Sequence, residues 1–171
     1  IINQKVLKSD VTPVEKLILT NTQIQNLKGI EAFVNLKRLY VGGNDISTVD
    51  LSKNGLLDTL DLAGNRLKTI DLSFNTKLIY SDLYGNELTT VTGLGSSTNL
   101  NYLSLSFNYL TEFTIENPSL ETLNIDNNDI CELMKYGISL NKQRFALFNE
   151  FSLTMKETWN LYQNETKISQ V

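Results

Sequence analysis

Residues 57–67 read Leu57-Asp58-Thr59-Leu60-Asp61-Leu62-Ala63-Gly64-Asn65-Arg66-Leu67, with leucine at the first, fourth, sixth and eleventh places and asparagine at the ninth. The pattern recurs along the chain. Upstream it is matched by Leu36, Leu39, Val41, Asn44 and Ile46, and before that by Val14, Leu17, Leu19, Thr22 and Ile24. Downstream it is matched by Leu78, Ser81, Leu83, Asn86 and Leu88, then by Leu100, Leu103, Leu105, Asn108 and Leu110, and finally by Leu120, Leu123, Ile125, Asn128 and Ile130. The offsets between copies are 22, 21, 21, 22 and 20 residues. Six copies in one register, spanning residues 14–135, use much of the chain's 28 Leu and 20 Asn, and a repeat of this period dictates the architecture before any single element is assigned.

The columns have physical meanings. Local alternation of apolar residues within each copy predicts a short strand, and successive copies stack those strands into a parallel sheet at about 4.8 Å spacing. Leucines of the first, fourth and sixth columns face inward, together with Val49 and Leu51, Ile70 and Leu72, Val91 and Leu94, and Phe113 and Ile115. No single copy can bury its own apolar face, so each depends on its neighbours. Where the chain leaves the strand, backbone groups lose ladder partners, and a carboxamide can supply both the missing donor and the missing acceptor. Asn44, Asn65, Asn86, Asn108 and Asn128 are expected to form such a ladder. About ten residues separate one strand segment from the next, too few for a stable helix, so the far side should be extended or 3₁₀. Two positions depart from the pattern: Thr22 stands where the other copies have Asn, and Ser81 where they have Leu.

The string LxxLxLxxNxL at this period resembles the leucine-rich repeat. The phrases Val49-Asp50-Leu51-Ser52-Lys53-Asn54 and Ile70-Asp71-Leu72-Ser73-Phe74-Asn75, with the segment from Leu27 to Leu36, are similar to bacterial internalin-like repeats. That resemblance implies a curved right-handed solenoid with a parallel sheet on its concave side, a secreted or cell-surface location in a bacterium, and a role in binding. Caps are expected at both ends: a short one over residues 1–13 and a helical one over 136–171. The latter rests on Phe145, Phe148, Phe151, Met155, Trp159 and Tyr162, which recur at intervals of three or four and predict a helix from Asn141 to Tyr162.

Composition narrows the function classes. With 41% hydrophobic and 20% charged residues the chain can build a core and should fold. The absence of His and the single Cys131 remove Ser-His and Cys-His catalytic pairs and the zinc sites built from those residues, so neither an enzyme nor a cofactor is expected. A net charge of −4 disfavours nucleic acid as a partner, and no run of apolar residues is long enough to span a membrane.

Candidate binding residues are those between the inward leucines, which should form columns on the concave face. One column runs Lys16, Arg38, Thr59, Tyr80, Tyr102, Thr122; the next runs Ile18, Tyr40, Asp61, Asp82, Ser104, Asn124; a third runs Thr20, Gly42, Ala63, Tyr84, Ser106, Asp126. Arg38, Tyr40, Asp61, Tyr80, Asp82, Tyr84, Tyr102 and Phe107 are the residues singled out; among them Tyr40, Tyr80, Tyr84 and Tyr102 are aromatics with a polar tip, which bury large areas with little loss of side-chain entropy. Asp61 beside Asp82 is a pair of carboxylates one strand apart, too few oxygens for a calcium site. The face is expected to bind a protein, with a glycan as the other ligand class. The alternative is a structural or regulatory module acting through the aromatic C-terminal segment.

Overall fold

Each x-Leu-x segment around the fourth column of the repeat becomes a three-residue strand because its middle residue points into the interior while its two neighbours face solvent. The computed structural model describes residues 8–113, 115, 117–130 and a strand at 144–145. In chain order the strands are β1 (Lys16–Ile18), β2 (Arg38–Tyr40), β3 (Thr59–Asp61), β4 (Thr69–Asp71), β5 (Tyr80–Asp82), β6 (Thr90–Thr92), β7 (Tyr102–Ser104), β8 (Thr122–Asn124) and β9 (Arg144–Phe145). Seven of them form one parallel sheet in the order β1-β2-β3-β5-β7-β8-β9. The register joins Leu17, Leu39, Leu60, Ser81, Leu103 and Leu123 across the sheet. That is the alignment of the six copies.

The opposite side of the solenoid is extended or 3₁₀, as the short spacers require. Strands β4 and β6 pair in parallel there, with Ile70 opposite Val91, and 3₁₀ turns cover Ile30–Ala32 and Leu94–Ser96. Between the two sides lies a continuous core in which Leu36, Leu39, Leu57, Leu60, Leu62, Leu78, Leu83, Leu100, Leu103 and Leu105 are fully buried. Each such leucine contributes about 1.5–3 kcal/mol by leaving water. The first repeat is less well covered: Val14, Leu17, Leu19 and Ile24 are half-buried, and a hollow of about 700 Å³ opens among Leu17, Leu19, Ile24 and Phe33. A single helical turn at Lys8–Val11 precedes it and buries Val11; of the expected cap over 1–13, residues 8–13 fall within the described residues.

The asparagine ladder is present, with the same bonds in each repeat. Asn65 Nδ2 donates to the carbonyls of Val41 (3.1 Å) and Leu62 (2.9 Å), while its Oδ1 accepts the Ile46 N–H at 3.0 Å. Asn86 repeats this with Leu62, Leu83 and Leu67, and Asn108 with Leu83, Leu105 and Leu88. Asn44 and Asn128 do the same at the two ends. Thr22, the departure in the first copy, donates its hydroxyl to the Leu19 carbonyl at 2.6 Å, the acceptor an asparagine there would take within its own repeat. The residue before each ladder position turns the chain with positive φ: Asn21, Gly43, Gly64, Gly85, Phe107 and Asn127 lie between 54° and 66°.

A second ladder on the far side is absent from the sequence expectations. Asn54 Nδ2 donates to the carbonyls of Ile30 and Phe33, Asn75 Nδ2 to those of Leu51 and Asn54, Ser97 Oγ to that of Asn75, and Asn117 Nδ2 to that of Ser97. Asn54, Asn75, Ser97 and Asn117 are all buried. The signal lies in the sequence, since these residues follow one another at 21, 22 and 20 residues, the period of the first ladder.

The C-terminal expectation needs correction at one point. Arg144–Phe145, inside the span predicted as helix, is a strand pairing in parallel with β8, Thr122 opposite Arg144. The offset of 22 continues the repeat period, and the open edge of β8 supplies unpaired backbone groups that another strand satisfies. The rest of the predicted helix and the aromatic residues from Phe148 to Tyr162 lie outside the described residues.

Two stability experiments follow. Asn65→Ala leaves the Ile46 N–H and the Val41 and Leu62 carbonyls without that partner, and should cost about 3 kcal/mol or more in urea unfolding, whereas Asn128→Ala, at a half-buried end of the ladder, should cost less. Ser81 is fully buried and its hydroxyl has no hydrogen-bond partner, so Ser81→Leu should be neutral or stabilising; a loss above about 1 kcal/mol would mean the column is already packed to its limit.

Candidate functional site

Side chains flanking the inward leucines emerge on the solvent side of the sheet, and the register sets them in rows one strand apart. Lys16, Arg38, Thr59, Tyr80, Tyr102 and Thr122 are consecutive partners, as are Ile18, Tyr40, Asp61, Asp82, Ser104 and Asn124. Both columns match the sequence alignment residue for residue.

Contacts within the columns are selective. Tyr80 and Tyr102 stack, ring centroids 4.5 Å apart and planes within 6°. This follows from placing two aromatics directly opposite on neighbouring parallel strands, where the strand spacing matches a ring-to-ring contact. Tyr84 and Phe107, beyond the strand ends, make a tilted pair at 5.2 Å. Tyr40 joins neither group: the Lys16 ammonium sits 5.4 Å from its ring centroid, a cation–π contact. Arg38 is exposed and takes part in no ion pair among the described residues. Two residues that an aromatic criterion passes over also contribute. Lys16 covers Tyr40, and Asn124 donates to the Tyr102 hydroxyl at 3.2 Å.

The carboxylates are held in place by the backbone. Asp61 Oδ1 accepts the Ala63 N–H at 3.0 Å and Asp82 Oδ1 accepts the Tyr84 N–H at 3.0 Å. One turn geometry repeated in consecutive repeats therefore aims both side chains alike. The Tyr80 hydroxyl reaches Asp82 Oδ2 at 3.5 Å. Burial raises the Asp61 carboxyl above its usual range and the neighbouring charge of Asp82 adds to this, while the Ala63 hydrogen bond opposes it. Tyr80 is pushed up to about 12, by burial first and then by the charge of Asp82. Further along, Ser106 donates to Asp126, whose other oxygen accepts from Asn127. Among the described residues no group of three or more His, Cys, Asp or Glu side chains is placed to hold a metal ion, and no helix is long and apolar enough to cross a membrane.

Phe107 stands apart from its column. The three preceding repeats place Gly43, Gly64 and Gly85 at the left-handed turn before the ladder asparagine, whereas here a phenylalanine adopts φ 58° with half its surface exposed. An L-residue pays about 1–2 kcal/mol for that conformation, set against the tilted contact that the ring makes with Tyr84.

No family model and no curated protein matches the chain. Solved structures do. Internalin C2 from Listeria monocytogenes is 26% identical with a TM-score of 0.52, the match covering 75% of this chain and 68% of that one. The functional domain of InlJ from Listeria monocytogenes is 25% identical with a TM-score of 0.49, over 81% of this chain and 40% of that one. A chain of the LRIM1/APL1C complex is 19% identical with a TM-score of 0.65, over 82% of this chain and 27% of that one, a likeness of fold. The chain thus spans less than half the length of the InlJ domain and about two thirds of internalin C2. Six repeats in a single register and this similarity to internalin C2 show that the chain has the leucine-rich-repeat fold, in a form similar to the internalins.

Proposed function

We propose that this chain is a non-catalytic binding module whose concave sheet face engages a protein partner, and that it works at the surface of a bacterium or after secretion. The observation that carries the reading is the aromatic set of Tyr80, Tyr102, Tyr84 and Phe107, with Tyr84 and Phe107 exposed and Phe107 held in a strained backbone conformation. Aromatic side chains concentrated near the centre of a surface are the usual anchors of protein interfaces. A protein suits this face better than a sugar. The stacked tyrosines cover one face of each other's ring, which reduces the flat aromatic area a sugar could lie on. The similarity to internalin C2, from Listeria monocytogenes, supports the location.

The test is a binding screen of the chain against extracellular proteins, with a glycan array alongside and a Tyr80→Ala/Tyr102→Ala variant in parallel. A protein captured by the chain and released about tenfold more readily by the variant is the expected result. Capture unaffected by the variant would contradict the reading. Phe107→Gly supplies an independent check. It should raise stability by about 1 kcal/mol, by removing the left-handed strain, while weakening capture of the same protein. Lower stability would show that the ring serves the fold instead.

A further inference from the structure

We infer that the protein partner presents an arginine-bearing, cationic segment to this face, its guanidinium stacking on the open side of Tyr80 above Thr59 and pairing with Asp61 and Asp82. The inference rests on the binding-module reading and names the chemistry of the partner. Tyr102 covers one face of the Tyr80 ring. On the other side the column continues with Thr59, a small side chain whose hydroxyl donates to Asp58 at 2.7 Å. A ring in place of Thr59 would extend the stack, and the column instead carries a small side chain next to Tyr80. In the adjoining column Asp61 and Asp82 stand next to Thr59 and Tyr80, directly opposite each other on β3 and β5.

The charge arrangement selects a cation. Each carboxylate gives one oxygen to a backbone N–H, and the second oxygen of Asp82 meets only the long contact from Tyr80. Ion pairs among the described residues join Lys37 to Glu15 and Arg66 to Asp45, and no Lys or Arg among those residues pairs with Asp61 or Asp82. Two like charges on neighbouring strands repel, and a partner cation would relieve that repulsion. The chain's net charge of −4 acts in the same direction. Arginine fits better than lysine because its flat guanidinium can stack on a ring and donate to two carboxylates at once, which a compact ammonium cannot do with the same geometry.

Calorimetric titration of the chain with an acetylated, amidated Gly-Arg-Gly-Arg-Gly peptide tests this, beside the matching lysine and citrulline peptides. Citrulline keeps the planar shape and removes the charge. The arginine peptide should bind, the lysine peptide more weakly, and the citrulline peptide about tenfold more weakly or not at all. Asp61→Asn/Asp82→Asn should lower arginine-peptide affinity about tenfold. Asp50→Asn/Asp71→Asn makes the same change in net charge on the other side of the solenoid and should leave it unchanged. Equal binding of the citrulline peptide, equal losses in the two double variants, or no binding of the arginine peptide would each overturn the inference. The two readings fail separately. A protein captured through Tyr80 and Tyr102 with equal affinity for Asp61→Asn/Asp82→Asn would remove the cationic partner and leave the binding module standing.

Discussion

Everything in this solenoid depends on a buried carboxamide at the point where each strand ends. A chain that turns out of a parallel sheet and stays inside the molecule strands its N–H and C=O groups away from water, at about 1–3 kcal/mol for each group left unpaired. Asparagine answers this with two donors and an acceptor on a short stem. Because Asn65 and Asn86 bond both to their own repeat and to the one before, they join successive turns as well as closing each one. The leucines supply the driving force for stacking, but burial has no direction, and the carboxamides set the register. A second set, Asn54, Asn75, Ser97 and Asn117, ties each repeat to the one before on the opposite side, through donated bonds alone.

A fixed register converts sequence into surface. Each solvent-facing position of the repeat becomes a row across the sheet, so replacing one residue changes the face without altering the frame beneath it. The recognition features proposed here are departures from the repeat. Tyrosines occupy two consecutive places in a column that otherwise holds Lys, Arg and Thr; carboxylates occupy two consecutive places in the next; and a phenylalanine stands where three earlier repeats use glycine. Regular positions carry the fold, and these irregular ones are free to carry specificity. Ser81 shows that interior departures also occur, a buried hydroxyl in a leucine column.

The period made most of this legible in advance. Once Leu57 to Leu67 is aligned with its copies, strand positions, register, inward leucines, the first asparagine ladder and the membership of each surface column all follow from counting. What counting does not reach is the choice among contacts open to a side chain. It places Tyr40 in line with Asp61 but cannot say that Lys16 lies over its ring, and it places Tyr80 beside Tyr102 without giving a near-parallel stack. Asn54, Asn75 and Asn117 were readable by the same count, yet polar residues between strands look like ordinary turn formers, and their period is noticed only if the far side is expected to need a ladder as well. At Arg144–Phe145 two periods compete. The aromatics recur as on a helix, while the distance from β8 continues the repeat, and the structure follows the repeat there.

The central claim, that carboxamides of the next repeat hold the turns of the previous one, is open to a direct measurement. The amides of Ile46, Leu67, Leu88 and Leu110 each donate to an asparagine Oδ1 some twenty residues ahead, at positions that form no part of a strand. Native-state hydrogen exchange, resolved by residue, should find the first three as slow as the amides of Leu62 and Leu83, which bond across the sheet, with Leu110 somewhat faster because Asn128 is only half-buried. Exchange of all four at the rate of exposed turn amides would contradict the account, since the turns would then open independently of the sheet.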